Sequence, residues 1–517
     1  MFKMLEYVIQ STKEFLDEMP KAKRKKIGQF FTSKETAIFM ASLFDLNNIP
    51  DSISILDPGS GTGILATALI QRILQYNRIR KVTLVCYENN PDVIPVLESN
   101  MKYIKENVNL DFDYEIREED YLLSQSHDFE EDILANKNPQ KYDIIIGNPP
   151  YLRVLRNHPA AMAMPKVVHG APNLYFLFSA MALFNLKDNC ELVFIIPRSW
   201  TSGAYFKAFR EYFLSQGKIE HIHLFVSRDK VFSEEQVLQE TIIIKMRKSF
   251  DKPQHVKLTS TQTNGDFDEI TELNVPYDSV VTGEDLYVFL PTNDEDIHTI
   301  ESINRYSGTM LDIGMKMKTG IIVDFRQYDD LRSEPGEHII PLFYGQHIKD
   351  GRVNHEASGK DYDWVIDEKP GLIQKNKDYI FCKRFTAKEE RRRLQCGLYF
   401  ANDFPEYENI GTQNKINFIE RLNGEPLKKE ELFGVFALFN STLFDQYYRI
   451  LNGSTQVNST EVNSIPVPPL DVIRDIGRLL IESGQYTTEA CDQILVQVAY
   501  VLIHHLEVEE YISLLLP

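Results

Sequence analysis

Short apolar runs alternate with amphipathic stretches through the first half of this chain, and that alternation admits few folds. Residues 54–57, 82–88, 114–117, 143–146, 192–196, 219–225 and 241–246 read as strands. Residues 36–46, 64–76, 91–107, 174–185 and 205–215 carry apolar side chains at helical spacing. Strands and helices in this order build a mainly parallel, doubly wound α/β sheet. Such sheets bind ligands beyond the carboxyl ends of their strands. Asp57, Glu88, Asp120 and Asn148 all fall at expected strand ends. Four polar residues thus gather on one edge of one sheet.

A chain of 517 residues exceeds what one core supports and predicts two or three domains. After Lys248 the character changes. Residues 249–275 are polar and rich in Thr, Asp and Asn. The expected organisation is a first domain over 1–250, a linker and transition over 251–300, and a mixed α+β domain over 301–517 that ends in helices. No apolar stretch reaches the roughly 18 residues of a membrane span, and the N-terminus lacks a secretory pattern. Cys86, Cys190, Cys382, Cys396 and Cys491 are scattered without a CxxC pair. Neither a zinc site nor a disulfide framework is indicated, and a reducing cytoplasm is the simplest setting. No metal is implied.

The net charge of −19 argues against a uniformly basic nucleic-acid binder, but screening leaves room for local patches. Two stretches are basic. Residues 21–26 hold Lys21, Lys23, Arg24, Lys25 and Lys26. Between Gln374 and Cys396 lie Lys375, Lys377, Lys383, Arg384, Lys388, Arg391, Arg392 and Arg393. The second run has two readings. It is a phosphate-neutralising surface, or it is a solvated helix whose Glu389 and Glu390 pair with Arg392 and Arg393 at helical spacing.

Two motifs carry chemistry. Asp57-Pro58-Gly59-Ser60-Gly61-Thr62-Gly63 follows a strand and opens a helix, and its glycines permit a tight turn and close backbone approach to a ligand. No Lys-Ser or Lys-Thr follows the last glycine, unlike a phosphate loop. Glu88, at the end of the next strand, suits a pair of ribose hydroxyls. Asp120, one strand further, suits an adenine amine. Each acid taken alone would serve equally as a surface turn or helix cap. Asn148-Pro149-Pro150-Tyr151 ends the apolar run 142–147. An exocyclic amine on a planar base is a poor nucleophile because its lone pair is delocalised into the ring. Two acceptors on its hydrogens, the Asn148 side-chain oxygen and the Pro149 carbonyl, favour a pyramidal nitrogen. Proline fixes its own φ and restricts the preceding residue, so both acceptors are preorganised. Tyr151 offers a face on which a base stacks.

In order and type, Gly28-Gln29-Phe30-Phe31-Thr32, Asp57–Gly63, Glu88, Asp120 and Asn148-Pro149-Pro150-Tyr151 resemble the gamma-class (TaqI-like) DNA adenine-N6 methyltransferases, over about residues 20–250. The resemblance implies a Rossmann-like methyltransferase domain and S-adenosylmethionine as cofactor. Gln29, Phe30 and Thr32 would close over it, and Asp57, Gly59, Gly61, Gly63, Glu88, Asp120 and Asn148 would hold it. Asn148, Pro149, Pro150 and Tyr151 would form the catalytic pocket, with Phe232 stacking on a target base rotated out of the duplex. The second half would be a target-recognition domain for double-stranded DNA. Gly320, the stretch 341–345, and the stretches 452–456 and 465–468 look similar to landmarks of that region. The run 383–393 looks most like the PstI/BsuBI-type modification enzymes, which implies the CTGCAG palindrome as the site. Lys383, Arg384, Lys388, Arg391, Arg392 and Arg393 would then contact DNA. The resemblance further implies a bacterial or archaeal cytoplasm, a restriction-modification system with a cognate endonuclease acting separately, and no membrane partner.

Three rival readings share these motifs. Asn-Pro-Pro-Tyr also serves enzymes that methylate a protein glutamine or an RNA guanine, although those are shorter and lack a large second domain. A fused nuclease would need an acid-x-acid-x-Lys constellation, which is not evident. A non-catalytic DNA-binding protein would have little reason to keep both motifs intact.

Overall fold

The computed structural model describes residues 3–18, 20, 31–76, 78–225, 240–263, 265, 267–386, 390–453 and 455–505. Gln29, Phe30, Phe232, Lys388 and the basic run 21–26 lie outside the described residues. The chain divides into two compact units, Met1–Thr292 and Asn293–Pro517.

The first unit is built on a nine-stranded sheet. Its strands are β1 (Ser52–Asp57), β2 (Lys81–Tyr87), β3 (Asp111–Arg117), β4 (Tyr142–Gly147), β5 (Leu186–Pro197), β6 (Lys218–Phe225), β7 (Thr241–Arg247), β8 (His255–Thr261) and β9 (Thr271–Pro276). They lie in the order β3-β2-β1-β4-β5-β7-β6-β8-β9. β1, β2, β3, β4 and β5 run parallel, and β7 enters antiparallel between β5 and β6. Every residue of β4 is buried, as expected of a central strand covered on both faces. At the edge, β3 alternates between buried and exposed positions over its first half. The main helices are α1 (Lys3–Glu18), α2 (Lys34–Ser42), α3 (Ile64–Ile73), α4 (Ile94–Asn107), α5 (Leu174–Asn185) and α6 (Lys207–Gln216). This is the doubly wound α/β sheet that the alternation predicts. The strand order reverses between β1 and β4, which opens a crevice at their carboxyl ends.

The polar stretch 249–275 is not a linker over its whole length. β8 pairs with β6 in parallel, and β9 pairs with β8 antiparallel, so both extend the sheet. Its threonines are structural: the buried hydroxyl of Thr259 lies 2.8 Å from both His221 Nε2 and His223 Nδ1.

The second unit mixes a six-stranded and a five-stranded sheet with helices, the α+β character the sequence predicts. Phe343, Phe381, Tyr399 and Phe418 centre one core, and Leu342, Ile340 and Val365 centre the other. The helices are α7 (Asp294–Asn304), α8 (Lys429–Asn440), α9 (Thr442–Leu451), α10 (Leu470–Ser483) and α11 (Thr488–His505). α8 and α10 touch backbone to backbone: a Cβ at Gly477 would lie 1.8 Å from the Glu430 carbonyl oxygen. Among the described residues no helix is long and apolar enough to cross a membrane.

Candidate functional site

The glycine turn is held from behind. Ser60 N–H donates to the Tyr87 carbonyl at 3.0 Å, and the Ser60 hydroxyl donates to the Asp57 carbonyl at 2.8 Å. Asn100 Nδ2 donates to the Thr62 carbonyl at 2.9 Å, and the Thr62 hydroxyl meets that of Thr12 on α1 at 2.6 Å. Gly63 adopts φ +88°, a left-handed conformation that favours glycine, and it packs against the end of the Met101 side chain. At Gly59, by contrast, an added Cβ would meet protein only at ordinary contact distances, 3.7 Å from Phe178 and 3.9 Å from the Asn148 carbonyl. The second strand end closes the turn from the front. Glu88 Oε2 accepts the Gly61 N–H at 3.1 Å, and Oε1 accepts the Asn90 N–H at 2.8 Å. Burial raises the Glu88 carboxyl above its ordinary range, while the Asn90, Gly61 and Asn89 amides oppose the rise.

These elements line one cavity of about 530 Å³ beyond the strand ends. Thr32, Gly59, Gly61, Glu88, Asp120 and Asn148 all border it, so residues chosen from separate strand ends share one cleft. Asp120 also caps the short helix Tyr121–Ser124, its Oδ1 accepting the Leu123 N–H at 3.0 Å. The cap and the cleft position therefore coexist in one side chain. Pro150 borders the cavity. Gly63, Asp57, Pro149 and Tyr151 stand behind the lining.

The donor set fits S-adenosylmethionine. Asp57 is 1% exposed, and neither carboxylate oxygen has a hydrogen-bond partner among the described residues. Burial is the main cause that pushes its carboxyl up to about 8; Glu88 adds to the rise, and the Gly59 and Ala66 amides moderate it. A buried, unsatisfied carboxyl beneath a glycine turn suits a cationic ammonium group. Two carboxylates at the next strand ends suit hydroxyl and amine donors. Phe31, Leu122, Leu174 and Phe178 supply apolar walls.

Asn148 is oriented by neighbours on both sides. Its Nδ2 donates to Thr32 Oγ1 at 3.2 Å, and its Oδ1 accepts the Tyr151 hydroxyl at 2.7 Å. That hydroxyl also lies 3.0 Å from the Ile195 carbonyl on β5. Tyr151 is buried and packs edge-on against Tyr175, with ring centroids 6.4 Å apart. It holds the amide from behind, a role its ring alone does not reveal. A carboxamide oxygen has two lone pairs, and the Tyr151 bond occupies one of those on Asn148 Oδ1.

Sequence reasoning did not single out His158 and Phe178 as cleft residues. Phe178 lies on α5, whose residues are apolar nearly all round, so its sequence reads as core. His158 caps the short helix Pro159–Met162, accepting the Ala160 N–H at 3.3 Å; the Pro at the first helical position was the available signal.

The basic run of the second unit divides sharply. Among the described residues it is no helix but a connection between the strands Tyr379–Lys383 and Cys396–Tyr399. Arg393 is a correction: it is fully buried, its Nε donates to Thr386 Oγ1 at 3.1 Å, and it cannot face a phosphate. The cause is a polar nest supplied from far along the chain, with Asp445 accepting the Arg393 N–H at 2.8 Å. Arg392 is largely committed too. Its Nη2 donates to the carbonyls of Phe439 and Ser441 at 3.1 and 2.9 Å, at the carboxyl end of α8, where a cation is favoured. Lys383 and Arg384 are partly exposed, and the Arg391 side chain is 86% exposed beside Glu489 at 3.1 Å.

Residues 74–232 match the family model of the Eco57I restriction-modification methylase. The Type II methyltransferase M.BsuBI of Bacillus subtilis is 32% identical over 467 residues, spanning 89% of this chain and 91% of its own length. The Type II methyltransferase M.PstI of Providencia stuartii is 31% identical over 484 residues, spanning 92% of this chain and 93% of its own. Among solved structures, the Type IIL restriction-modification enzyme MmeI in complex with DNA has a similar fold, with a TM-score of 0.50 at 13% identity over 96% of this chain and 75% of that one.

Proposed function

The chain belongs to the Type II methyltransferases of restriction-modification systems, and from that membership we propose that it methylates adenine N6 in double-stranded DNA, on a base rotated out of the duplex. The observation that carries the reading is the placement of Asn148. Its carboxamide borders the same cavity as the glycine turn and Glu88, with its orientation fixed by Thr32 and Tyr151. S-adenosylmethionine is the methyl donor and brings an electrophilic methyl group on a sulfonium.

The protein's part is to hold and to polarise. Glu88 and Asp120 offer acceptors to the hydroxyl and amine groups of the donor, and Asp57 offers a carboxylate to its cation. Asn148 Oδ1 and the Pro149 carbonyl accept the two hydrogens of the target amine. The nitrogen becomes pyramidal and its lone pair faces the methyl. The amine becomes acidic only as it gains the methyl, so no strong base is required. Positioning and preset dipoles supply most of the acceleration. Pro150 and Phe232 complete the base pocket in this reading, with Tyr151 holding Asn148 from behind it, and Gln29 and Phe30 join Thr32 over the donor. On the DNA side the reading keeps Lys383, Arg384, Lys388 and Arg391 as phosphate contacts, with a cognate endonuclease as a separate protein.

Incubation with methyl-labelled cofactor and separate pools of duplex DNA, RNA and protein tests this directly. Label is expected in duplex DNA, and single-molecule mapping is expected to place it on adenine. Label in protein or RNA alone refutes the reading, and label on cytosine refutes the acceptor.

A further inference from the structure

We propose that a recess within the second unit reads a base-pair edge of the DNA, with Asp324 accepting the exocyclic amine of a cytosine in the major groove. The inference rests on the proposed function, because it assumes duplex DNA as substrate. The recess has a volume of about 270 Å³ and is bordered by Asp324, Gln346, Lys360, Lys383, Phe385 and Lys415.

A hydrogen-bond chain that ends in this recess is unfinished. The Lys415 backbone N–H donates to Gln413 Oε1 at 2.8 Å, which fixes the orientation of that buried carboxamide. Gln413 Nε2 then donates to Asp324 Oδ2 at 3.2 Å. The other oxygen, Oδ1, is buried and meets no donor among the described residues. A buried acceptor without a donor is costly, and native structures keep few of them. Here two residues hold the carboxylate with one oxygen unsatisfied at the wall of the recess, an acceptor that a donating ligand would complete.

The surroundings identify the ligand. Lys360, Lys383 and Lys415 border the same recess, and none of the three enters an ion pair among the described residues. Five other lysines of this unit do: Lys318, Lys349, Lys369, Lys375 and Lys377. Three ammonium groups outside any ion pair stand beside two acids, Asp324 and Glu390, so the recess is net cationic within a chain of net charge −19, which suits a polyanion. Phe385 is 44% exposed at the rim, with the Arg384 guanidinium 5.7 Å from its ring centroid. An aromatic face beside cations suits a nucleic acid better than a free phosphate.

The acceptor then selects the base. In the major groove guanine and thymine present only acceptors to such a position, and these repel a carboxylate. Adenine presents an amine beside the N7 acceptor. Cytosine presents its N4 amine alone, so it is the edge best matched to one open carboxylate oxygen. The lysines position the backbone, and Asp324 supplies sequence information.

The test uses the full-length protein and a set of duplexes that carry every single base-pair change within its methylation site. For Asp324→Asn, discrimination in favour of cytosine at one base pair is expected to fall about tenfold or more. For Lys383→Ala and Lys415→Ala, binding to all duplexes is expected to weaken alike, and the slope of log K against log salt to flatten by about 0.9 each. Unchanged base preferences in Asp324→Asn overturn the proposal. If that variant fails to fold, the exposed Lys415→Ala decides: an unchanged salt slope overturns it. A wild-type protein that methylates duplex DNA with both results negative refutes the recess alone, whereas a wild-type protein that methylates no duplex refutes the proposed function as well.

Discussion

Tyr151→Phe removes one oxygen and nothing else, so it separates the hydroxyl's part from the ring's. The hydroxyl is buried, 2.7 Å from Asn148 Oδ1 and 3.0 Å from the Ile195 carbonyl. Its proton is shared between the two, so the loss counts as one net hydrogen bond of about 1 kcal/mol, rising to about 2 kcal/mol because the buried Ile195 carbonyl and the half-buried Asn148 amide each lose a donor. In a unit of this size that lowers the melting temperature by roughly 2–8 °C. The kinetic effect follows from orientation. With Thr32 as its remaining fixed neighbour of the pair, the carboxamide gains rotational freedom in the ground state that it must surrender when it binds the amine. A loss of about 1–2 kcal/mol in the chemical step is roughly a 5- to 30-fold slower transfer. Rapid-quench single turnovers with saturating cofactor and DNA measure that step, and equilibrium titration measures cofactor affinity, which is expected to hold. Tyr151→Ala is expected to lose more, since the buried ring that packs against Tyr175 disappears as well, at a cost of about 3–5 kcal/mol in stability. A Tyr151→Phe variant that transfers at the wild-type rate, or that slows only in step with weaker cofactor binding, refutes the orienting role.

Asn148→Ala is expected to slow single-turnover transfer about 100- to 1000-fold while cofactor affinity is retained; a collapse of the thermal transition instead would make Asn148 structural. Arg391→Ala and Arg393→Ala are expected to part company. The first should flatten the salt dependence of DNA binding by about 0.9 in slope. The second should lower the melting temperature and leave the slope alone, because Arg393 is fully buried among Thr386, Asp445 and Asn452; the reverse pattern refutes the assignment. His221 is buried on β6, and burial first, then Lys257 and Lys245, pushes its pKa down to about 4 from an unfolded value near 6.5, with Glu272 opposing the shift. The unfolded chain therefore binds the proton more readily. Stability is intact above about pH 6.5 and falls, by an amount on the order of 3 kcal/mol, as pH drops towards 4. Denaturant unfolding across that window checks the slope, and His221→Gln is expected to reduce it.

The order of elements in the first unit was legible because its signals are local. The helix 174–185 coincides with α5, and most other boundaries move by one to four residues. Glu88 and Asn148 were legible for the same reason, since a parallel sheet brings successive strand ends to one edge. What escaped was written in partners distant in sequence. The threonines of β8 look like loop residues until His221 and His223 pair with their hydroxyls. Arg393 looks like a surface cation until Asp445, brought beside it by α9, reveals a buried nest. Tyr151 advertises a ring, and only the fold shows where its hydroxyl points, because Ile195 arrives from a different strand. In each case burial was decided by tertiary pairing, which periodicity and composition do not encode.

The reversal of strand order between β1 and β4 has an evolutionary corollary. The glycine turn and the acids proposed to grip the donor arise from β1, β2 and β3 on one flank, whereas the residues proposed to meet the acceptor arise after β4 on the other. The two flanks touch where Gly59 lies close to the Asn148 backbone. A lineage built this way can exchange one flank and inherit the other unaltered, acquiring new methylation targets without having to rediscover its fuel.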